Sequence, residues 1–406
     1  MQLISVIMAN FRAVQHLSAA IDSVLRQTHD RLELIISDDA SGDGSLDVIR
    51  AAMARDPRVI LIEAETNGGA AAARNRALEA ATGDWVAIMD SDDVIHPDRL
   101  RRMLAAAGQS GAQIVSDDLV FFGETEAASG RTLLQALDLD APQMLDAARL
   151  MASEGADPTL PKFGYLKPLI ARAALGEMRY DTSLSIAEDL DLYLRLLMAG
   201  HRWVMLPDPM YLYRRHSASL SYRLSAASIA AMIAAQERLS LSDAPRALQE
   251  AGRARSAHLR HQERYLHLVD AIKARKMSRV AGLLLRAPGL LGDLTWSVRD
   301  RLARRSESDG ARSAQTLSLG GQATPGEGLS LSPPSAPEPA GTWSEPPHRM
   351  AAQLSALAAR HDLSVEVTDR AALWAAWLLP RYAQMRIDFD TGEDADGLPL
   401  PAQTAQ

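Results

Sequence analysis

In the first hundred positions, apolar residues fall in short, nearly unbroken runs. "LISVIM" (3–8), "LELIIS" (32–37), "RVILIE" (58–63) and "WVAIMD" (85–90) each precede a stretch in which apolar residues return every three or four positions. Those stretches lie near 14–26, near 45–54, at "AAAARNRALEAA" and at "PDRLRRMLAAA". Short continuous runs suit strands buried on both faces, and helices between them imply parallel βαβ units, so the fold class is α/β with a mostly parallel sheet. "AQIVSDDLVFF" (112–122) reads as a fifth strand, and 123–160 as an irregular insertion over the sheet edge. Order resumes over 161–216, with a helix at "AEDLDLYLRLLMAG" and a last strand at "RWVMLP". From 224 to 305 the pattern is helical and rich in Ala and Arg. Residues 306–346 are rich in Pro, Gly and Ser and read as a disordered linker, and 347–387 as two short helices before an acidic tail. The expected division is 1–222, 223–305, 306–346 and 347–406.

Composition narrows the function classes. A net charge of −8 argues against general nucleic-acid binding, yet residues 246–305 hold fourteen Lys or Arg against five Asp or Glu, a local +9. Such a segment fits peripheral contact with an anionic membrane surface, as well as a plain solvated helix face. The chain has no cysteine, which rules out disulfides, thiolate metal sites and thiol nucleophiles and suits a reducing compartment. "MQLISVIMAN" lacks a basic n-region and reads as a strand rather than a signal peptide, and no apolar stretch reaches the ~18 residues of a membrane span. The expected location is the cytoplasm, with a peripheral position at the inner face of the membrane as an option.

Ligands of open α/β sheets gather at the carboxyl ends of the strands. Here those ends read "MANFR", "SDDASGDGS", "ETNGGAAAARN" and "DSDD", a convergence of acidic and glycine-rich turns. All three asparagines of the chain, Asn10, Asn67 and Asn75, fall in these regions. There is no G-x-G-x-x-G after the first strand and no G-x-x-x-x-G-K-[ST] anywhere, so dinucleotide and P-loop phosphate sites are excluded. Carboxylates repel a phosphate directly, but a hard divalent cation bridges the two, and oxygen ligands favour Mg²⁺ or Mn²⁺. Asp90, Asp92 and Asp93 crowd the end of a buried strand and require positive compensation.

The segments "SVIMANF", "LELIISDDASGDGS", "NGGAAAARNRAL", "GDWVAIMDSDD", "AEDLDLYLRL" and "YLYRRHSASLS" resemble, in order and spacing, the family-2 glycosyltransferases over roughly residues 1–222. The resemblance implies the Rossmann-like A-type glycosyltransferase fold and inverting transfer of a sugar from a nucleoside diphosphate donor, UDP-linked, to a hydroxyl acceptor such as a lipid-linked glycan. It implies that Asp39 receives the imide hydrogen of a uracil-type base, with Asp38 supporting the turn, and that Arg74 touches the nucleotide or its phosphates. Asp90-Ser91-Asp92 matches the D-x-D motif, with Asp90 and Ser91 beside the donor and Asp92 on the metal. Asp189 matches the catalytic base and His216 a position near the diphosphate or metal. The family's usual proline and Tyr-Asn pair after the first strand are replaced by Ala9, Asn10, Phe11 and Arg12, leaving Phe11 to stack on the base.

Plainer roles stand beside these. Aspartates next to glycines make turns and caps. Ser185-x-x-Glu188 has the form of a capping box that would start the helix carrying Asp189. Arg74, Lys167 and His216 could each be ordinary surface or core side chains, although Lys167 in "FGYLKPL" is also a candidate to face the acceptor. Rival readings are a nucleotidyltransferase on a similar sheet, which needs a glycine-rich basic first loop, a phosphoacceptor receiver domain, which would be much shorter, and a non-catalytic nucleotide-sugar binder or scaffold.

Overall fold

The computed structural model describes residues 2–123, 132–155, 157, 159–215 and 224–295, with the backbone of 313–319, 329–331, 361–367 and 386–389. The chain opens with β1 (Ile4–Asn10), α1 (Val14–Leu25), β2 (Leu32–Asp38), α2 (Ser45–Arg55), β3 (Val59–Glu63), α3 (Gly69–Ala80) and β4 (Trp85–Asp90). Each apolar run forms its strand, and each periodic stretch forms its helix. Alternate strand residues face opposite layers. Ile4, Val6, Met8, Leu34, Ile36, Ala87 and Met89 enter one core, while Ile7, Ile35, Val86 and Ile88 enter the other. With helices on both sides neither strand face is polar, so the sequence shows runs rather than alternation.

β1 pairs in parallel with β2 on one side and β4 on the other, and β2 pairs with β3. The chain therefore winds outward to β3 and then returns to the far side of β1. That reversal opens a crevice at the carboxyl ends of β1 and β4.

Beyond β4 the sheet is mixed. β5 (Val94–Ile95), α4 (Arg99–Ser110), β6 (Ile114–Gly123), β7 (Gln143–Leu145), α5 (Ala147–Ser153), β8 (Leu169–Ala171), α6 (Arg172–Leu175), α7 (Glu188–Met198) and β9 (Trp203–Arg215) complete it in the order β3-β2-β1-β4-β8-β6-β9-β5, with β7 on β9. β8 joins β4 to β6 with antiparallel pairing on both edges. β5, β7 and β8 are only two or three residues long, too short to carry a readable period. The insertion is also more ordered than its composition suggests: α5 is capped by Asp146, whose side chain accepts from the Arg149 N–H at 2.7 Å. β9 runs past Pro207 and Pro209, and the β6–β9 register shifts between Ser116 and Leu119 to accommodate them. The shift carries Tyr211 to Arg215 alongside the turn after β4.

α8 (Ala226–Arg238), α9 (Arg246–Lys273) and α10 (Met277–Arg286) form the helical extension. Its first part is keyed into the sheet domain, since Leu248 is buried in the same core as Leu190 and Leu194, with Leu239, Leu241, Ala244 and Ala251 packed against it. Its far end has a small core of its own, built from Leu268, Ala271, Val280 and Leu290. No helix of the described residues is long and apolar enough to cross a membrane.

β10 (Ser313–Leu319), β11 (Leu329–Leu331), β12 (His361–Val367) and β13 (Arg386–Phe389) pair in parallel in the order β11-β10-β12-β13. β10 and β11 fall inside the stretch read as a disordered linker. Average composition hid the local alternation of Leu317 and Leu319 with serine, and likewise that of Leu363, Val365 and Val367 in β12. The bodies of the two helices expected over 347–387 lie outside the described residues.

Candidate active site

The turns at the strand ends are tied together by side chains. Asn10 donates to Asp38 Oδ1 at 2.7 Å and to Ser41 Oγ at 3.2 Å, while the Ser41 hydroxyl and N–H also donate to Asp38. Asp38 therefore holds the turn, as expected. Asp39 is 2% exposed and accepts from the Gly68 N–H, from the Gly69 N–H at 2.7 Å and from Arg76 Nη2 at 2.6 Å. Gly69 has a φ of 84°, which a side chain would strain, and this conformation turns its N–H into the carboxylate. Asn67 donates to the Asp39 carbonyl. Phe11 is 45% exposed at the rim, and the Arg12 guanidinium lies 5.0 Å from its ring centre.

The centre of the site is a buried ion cluster. Arg74 on α3 reaches Asp90 Oδ1 at 2.7 Å, Glu188 Oε1 at 2.6 Å and Asp189 Oδ1 at 3.3 Å. Lys167 Nζ lies 2.8 Å from Asp90 Oδ2 and 2.9 Å from Asp189 Oδ2. Antiparallel pairing places Leu169 opposite Ala87, so the residues just before β8 run beside the end of β4, and Lys167 meets Asp90 there. Much of the compensation demanded by the acidic turn is thus internal. Burial alone would raise the Asp90 carboxyl, but the Lys167 and Arg74 charges override it and hold it well below the usual carboxylate range. Burial disfavours the Lys167 ammonium, and the Asp189 and Asp90 carboxylates more than reverse this, raising it well above its ordinary value. Burial pushes Glu188 up, opposed by Arg74 and reinforced by Asp189.

Asp189 stands in the first turn of α7, where Glu188 begins the helix. The expected capping box does not form: the cap is Ala187, without a side-chain hydrogen bond, and Glu188 pairs with Arg74 instead. Ion pairing in a buried cluster outweighs one cap. Ala187 has a φ of 68°, a left-handed conformation that costs a non-glycine residue roughly 1–3 kcal/mol and is typical of functional sites. Asn75 exchanges two hydrogen bonds with the backbone of Tyr180, fixing the loop ahead of α7. The Arg74 guanidinium lies 5.5 Å from the Tyr180 ring centre. Three polar atoms of this cluster, Arg74 Nε, the Tyr180 hydroxyl and Asp189 Oδ1, are buried without a hydrogen-bond partner. Polar capacity left unmet in a buried place marks a site shaped for something else.

The rest of the D-x-D turn is held from β9. Asp93 accepts from the Tyr211 hydroxyl at 2.6 Å and the Arg214 N–H at 2.6 Å, and burial with the nearby Asp92 and Asp90 charges raises its carboxyl well above the usual range. Asp93 is therefore bound to the scaffold. Behind the turn, Arg99 forms a bidentate pair with Asp117 at 2.8 Å, donates to the Lys167 carbonyl and lies over the Tyr211 ring. Ser91 is buried, Asp92 is half-buried, and the Asp92 carbonyl accepts from Arg214 Nε at 2.7 Å. His216 lies outside the described residues.

Among the described residues no group of three or more His, Asp or Glu is arranged to hold a metal ion. Asp90 and Asp93 each engage both carboxylate oxygens with protein donors, and Asp92 stands half-buried between them in the same turn. One carboxylate fits Mg²⁺ or Mn²⁺, which take one or two carboxylates and complete the shell with phosphate oxygens and water.

Arg99, Tyr180 and Tyr211 carry no signal of their own in the sequence. Asp117 and Asp118 inside an apolar run were the available sign that a buried cation such as Arg99 must lie opposite.

Comparison with known proteins gives the family and the fold. The profile described as "Glycosyl transferase family 2" matches residues 5–148. The succinoglycan biosynthesis protein ExoO of Rhizobium meliloti (strain 1021) is 32% identical over 315 residues, covering 74% of this chain and 86% of that protein. The chain belongs to glycosyltransferase family 2. This glycosyltransferase is also similar to the succinoglycan biosynthesis protein ExoU of the same organism, 28% identical over 79% of this chain and 93% of that one. The crystal structure of S. aureus TarS 1–349 in complex with UDP-GlcNAc shares the fold, with a TM-score of 0.51 at 18% identity over 64% of this chain and 72% of that chain.

Proposed function

We propose that this enzyme transfers a sugar, with inversion, from a UDP-linked donor to a hydroxyl acceptor in bacterial surface or exopolysaccharide synthesis, working in the cytoplasm on an acceptor such as a lipid-linked glycan. The observation that carries this reading is that Asp90 of the D-x-D turn and Asp189 of α7 share one buried ammonium, Lys167 Nζ, at 2.8 and 2.9 Å. Donor-binding and proton-accepting carboxylates thereby lie within one side chain of each other. The names of the succinoglycan relatives and the UDP-GlcNAc bound to TarS support the substrate class.

An arriving diphosphate competes with Asp90 and Asp189 for Lys167 and Arg74. Asp189 then accepts the proton of the acceptor hydroxyl as its oxygen attacks the anomeric carbon, and the bond to the diphosphate breaks in the same displacement. Asp92, with His216, would hold Mn²⁺ or Mg²⁺, which as a Lewis acid neutralises charge on the departing diphosphate. Phe11 stacks on the base, Asp90 and Ser91 flank the donor, and Asp39 receives the uracil imide in exchange for one of its present donors, of which the Arg76 side chain is the one able to move away. The test is a panel of nucleotide sugars with and without Mn²⁺, read as nucleoside diphosphate release and anomeric configuration of the product. Metal-stimulated turnover of one UDP-sugar with inversion is expected, and retention of configuration or no turnover with any donor overturns the reading. Asp92→Ala should weaken Mn²⁺-dependent UDP binding in calorimetric titration.

A further inference from the structure

The helical extension divides into two parts of opposite character. From Leu239 to Ala251 its apolar residues pack into a core of the sheet domain. Between Ile272 and Leu291 they are not. Nine large apolar side chains are exposed among the described residues, and four of them fall in this short stretch: Ile272 at 40%, Met277 at 66%, Leu285 at 82% and Leu291 at 57%. The last three are the most exposed of the nine. Met277, Ala281 and Leu285 recur every fourth position and so share one stripe of α10, while Val280 and Leu290 turn the opposite way into the local core.

Charge around this stripe has one sign. Lys273, Arg275, Lys276, Arg279 and Arg286 lie in the same stretch, and no Asp or Glu occurs from 272 to 292. All five cations are exposed, and none forms an ion pair with a carboxylate among the described residues. Exposed apolar side chains on a short helix, flanked by long cationic ones, match the requirements of an anionic lipid surface. The apolar groups enter the acyl boundary, while Lys and Arg lay their methylene stems along it and keep their charges at the headgroups. An acidic protein partner would satisfy the cations but leave Met277, Leu285 and Leu291 in water. A second copy of this chain, with a net charge of −8, would leave those five cations facing one another across a symmetric contact.

We infer that α10 and the turns on either side of it are a docking surface for an anionic bilayer, with Met277, Leu285 and Leu291 as the inserted side chains and the five cations as the headgroup contacts. This adds a location device to the proposed reaction and does not depend on it. The test uses the full chain with vesicles of phosphatidylglycerol and phosphatidylcholine, against phosphatidylcholine alone, in a sedimentation assay. Binding to the anionic vesicles and not the neutral ones is expected, weakening as salt screens the charges. The triple substitution Met277→Ser, Leu285→Ser and Leu291→Ser, and separately Lys273→Glu with Lys276→Glu and Arg279→Glu, should each reduce binding tenfold or more. Far-UV circular dichroism and the melting temperature should stay unchanged, because these side chains are exposed. Equal binding to neutral vesicles, no binding at all, or binding untouched by both variants overturns the proposal. So does a concentration-dependent dimer that Leu285→Ser dissolves without any vesicle binding. Release of nucleoside diphosphate in lipid-free buffer should be unaffected by both variants, and Asp189→Asn should retain vesicle binding. Failure of docking and failure of the catalytic reading are thereby separated.

Discussion

Asp38-Asp39 after β2 and Asp90 to Asp93 after β4 leave the same edge of the sheet, and in sequence they look like two versions of one acidic turn. Their carboxylates are satisfied in different ways. Asp38 and Asp39 are held mainly by N–H and O–H groups of neighbouring turns, with Arg76 the one cation on Asp39. Backbone donors cannot leave without unfolding the turn. Asp90 is held by the side chains of Arg74 and Lys167, both shared with Asp189. Flexible cations can be drawn to another anion, and a diphosphate is a stronger attractor than a carboxylate. The first turn is held mainly by its own backbone and short side chains, the second by long cationic side chains.

Substitutions can break that contrast or sharpen it. The largest effect is expected from Asp189→Asn, which keeps the shape but removes the proton acceptor. Turnover should fall by ~10²–10⁴ with donor affinity nearly unchanged, as read by steady-state kinetics beside calorimetry, and wild-type turnover would refute the role of Asp189. Lys167→Met leaves two carboxylates short of a cation in a buried place, and should cost about 3–5 kcal/mol in denaturant unfolding as well as activity. If the variant kept full stability, the shared ammonium would not be what holds the cluster together. Asp39→Asn should cost only about 1–3 kcal/mol, the range for weakening a buried hydrogen-bond network. Its kcat should stay within a few-fold while the donor KM rises. A kcat collapse there like that of Asp189→Asn would erase the distinction between the two turns.

A pH-dependent effect concerns Asp118, which resembles the first turn. It accepts from the Leu119 and Leu134 N–H groups at 2.8 Å, and burial still pushes its carboxyl up to about 7. A carboxyl raised on folding contributes stability at acid pH that is lost as pH climbs from the unfolded value, about 4, through about 7. Asp118→Asn should therefore gain relative to wild type over that window, by at most ~1.4 kcal/mol per pH unit. Melting temperatures at several pH values check this, and a pH-independent difference would contradict it.

The parallel half was legible because its strands are long, buried on both faces and bounded by glycine and aspartate. The antiparallel half was not, since β5, β7 and β8 are too short for a pattern to establish itself. The acids of the site announced themselves by crowding. The cations did not, because Arg74 looks like any arginine on a helix, and Lys167 meets Asp90 only through the pairing of β8 with β4. Glu188 was misread for a local reason: Ser185 and Glu188 have the spacing of a cap, but a partner 114 positions away takes the carboxylate. Asn10 and Asn67 tie down turns at the strand ends, whereas Asn75 lies within α3 and fixes the loop ahead of α7.

The clamp between Asn75 and Tyr180 spans 105 residues. At ~5–20 residues per second, a ribosome needs about 5–20 s to travel from one partner to the other. For most of that interval Arg74 and the acidic turn are already made while Lys167 and the α7 carboxylates are still to come. The buried ion cluster therefore closes only after the second half of the sheet domain has been made, because its carboxylates and cations come from both halves.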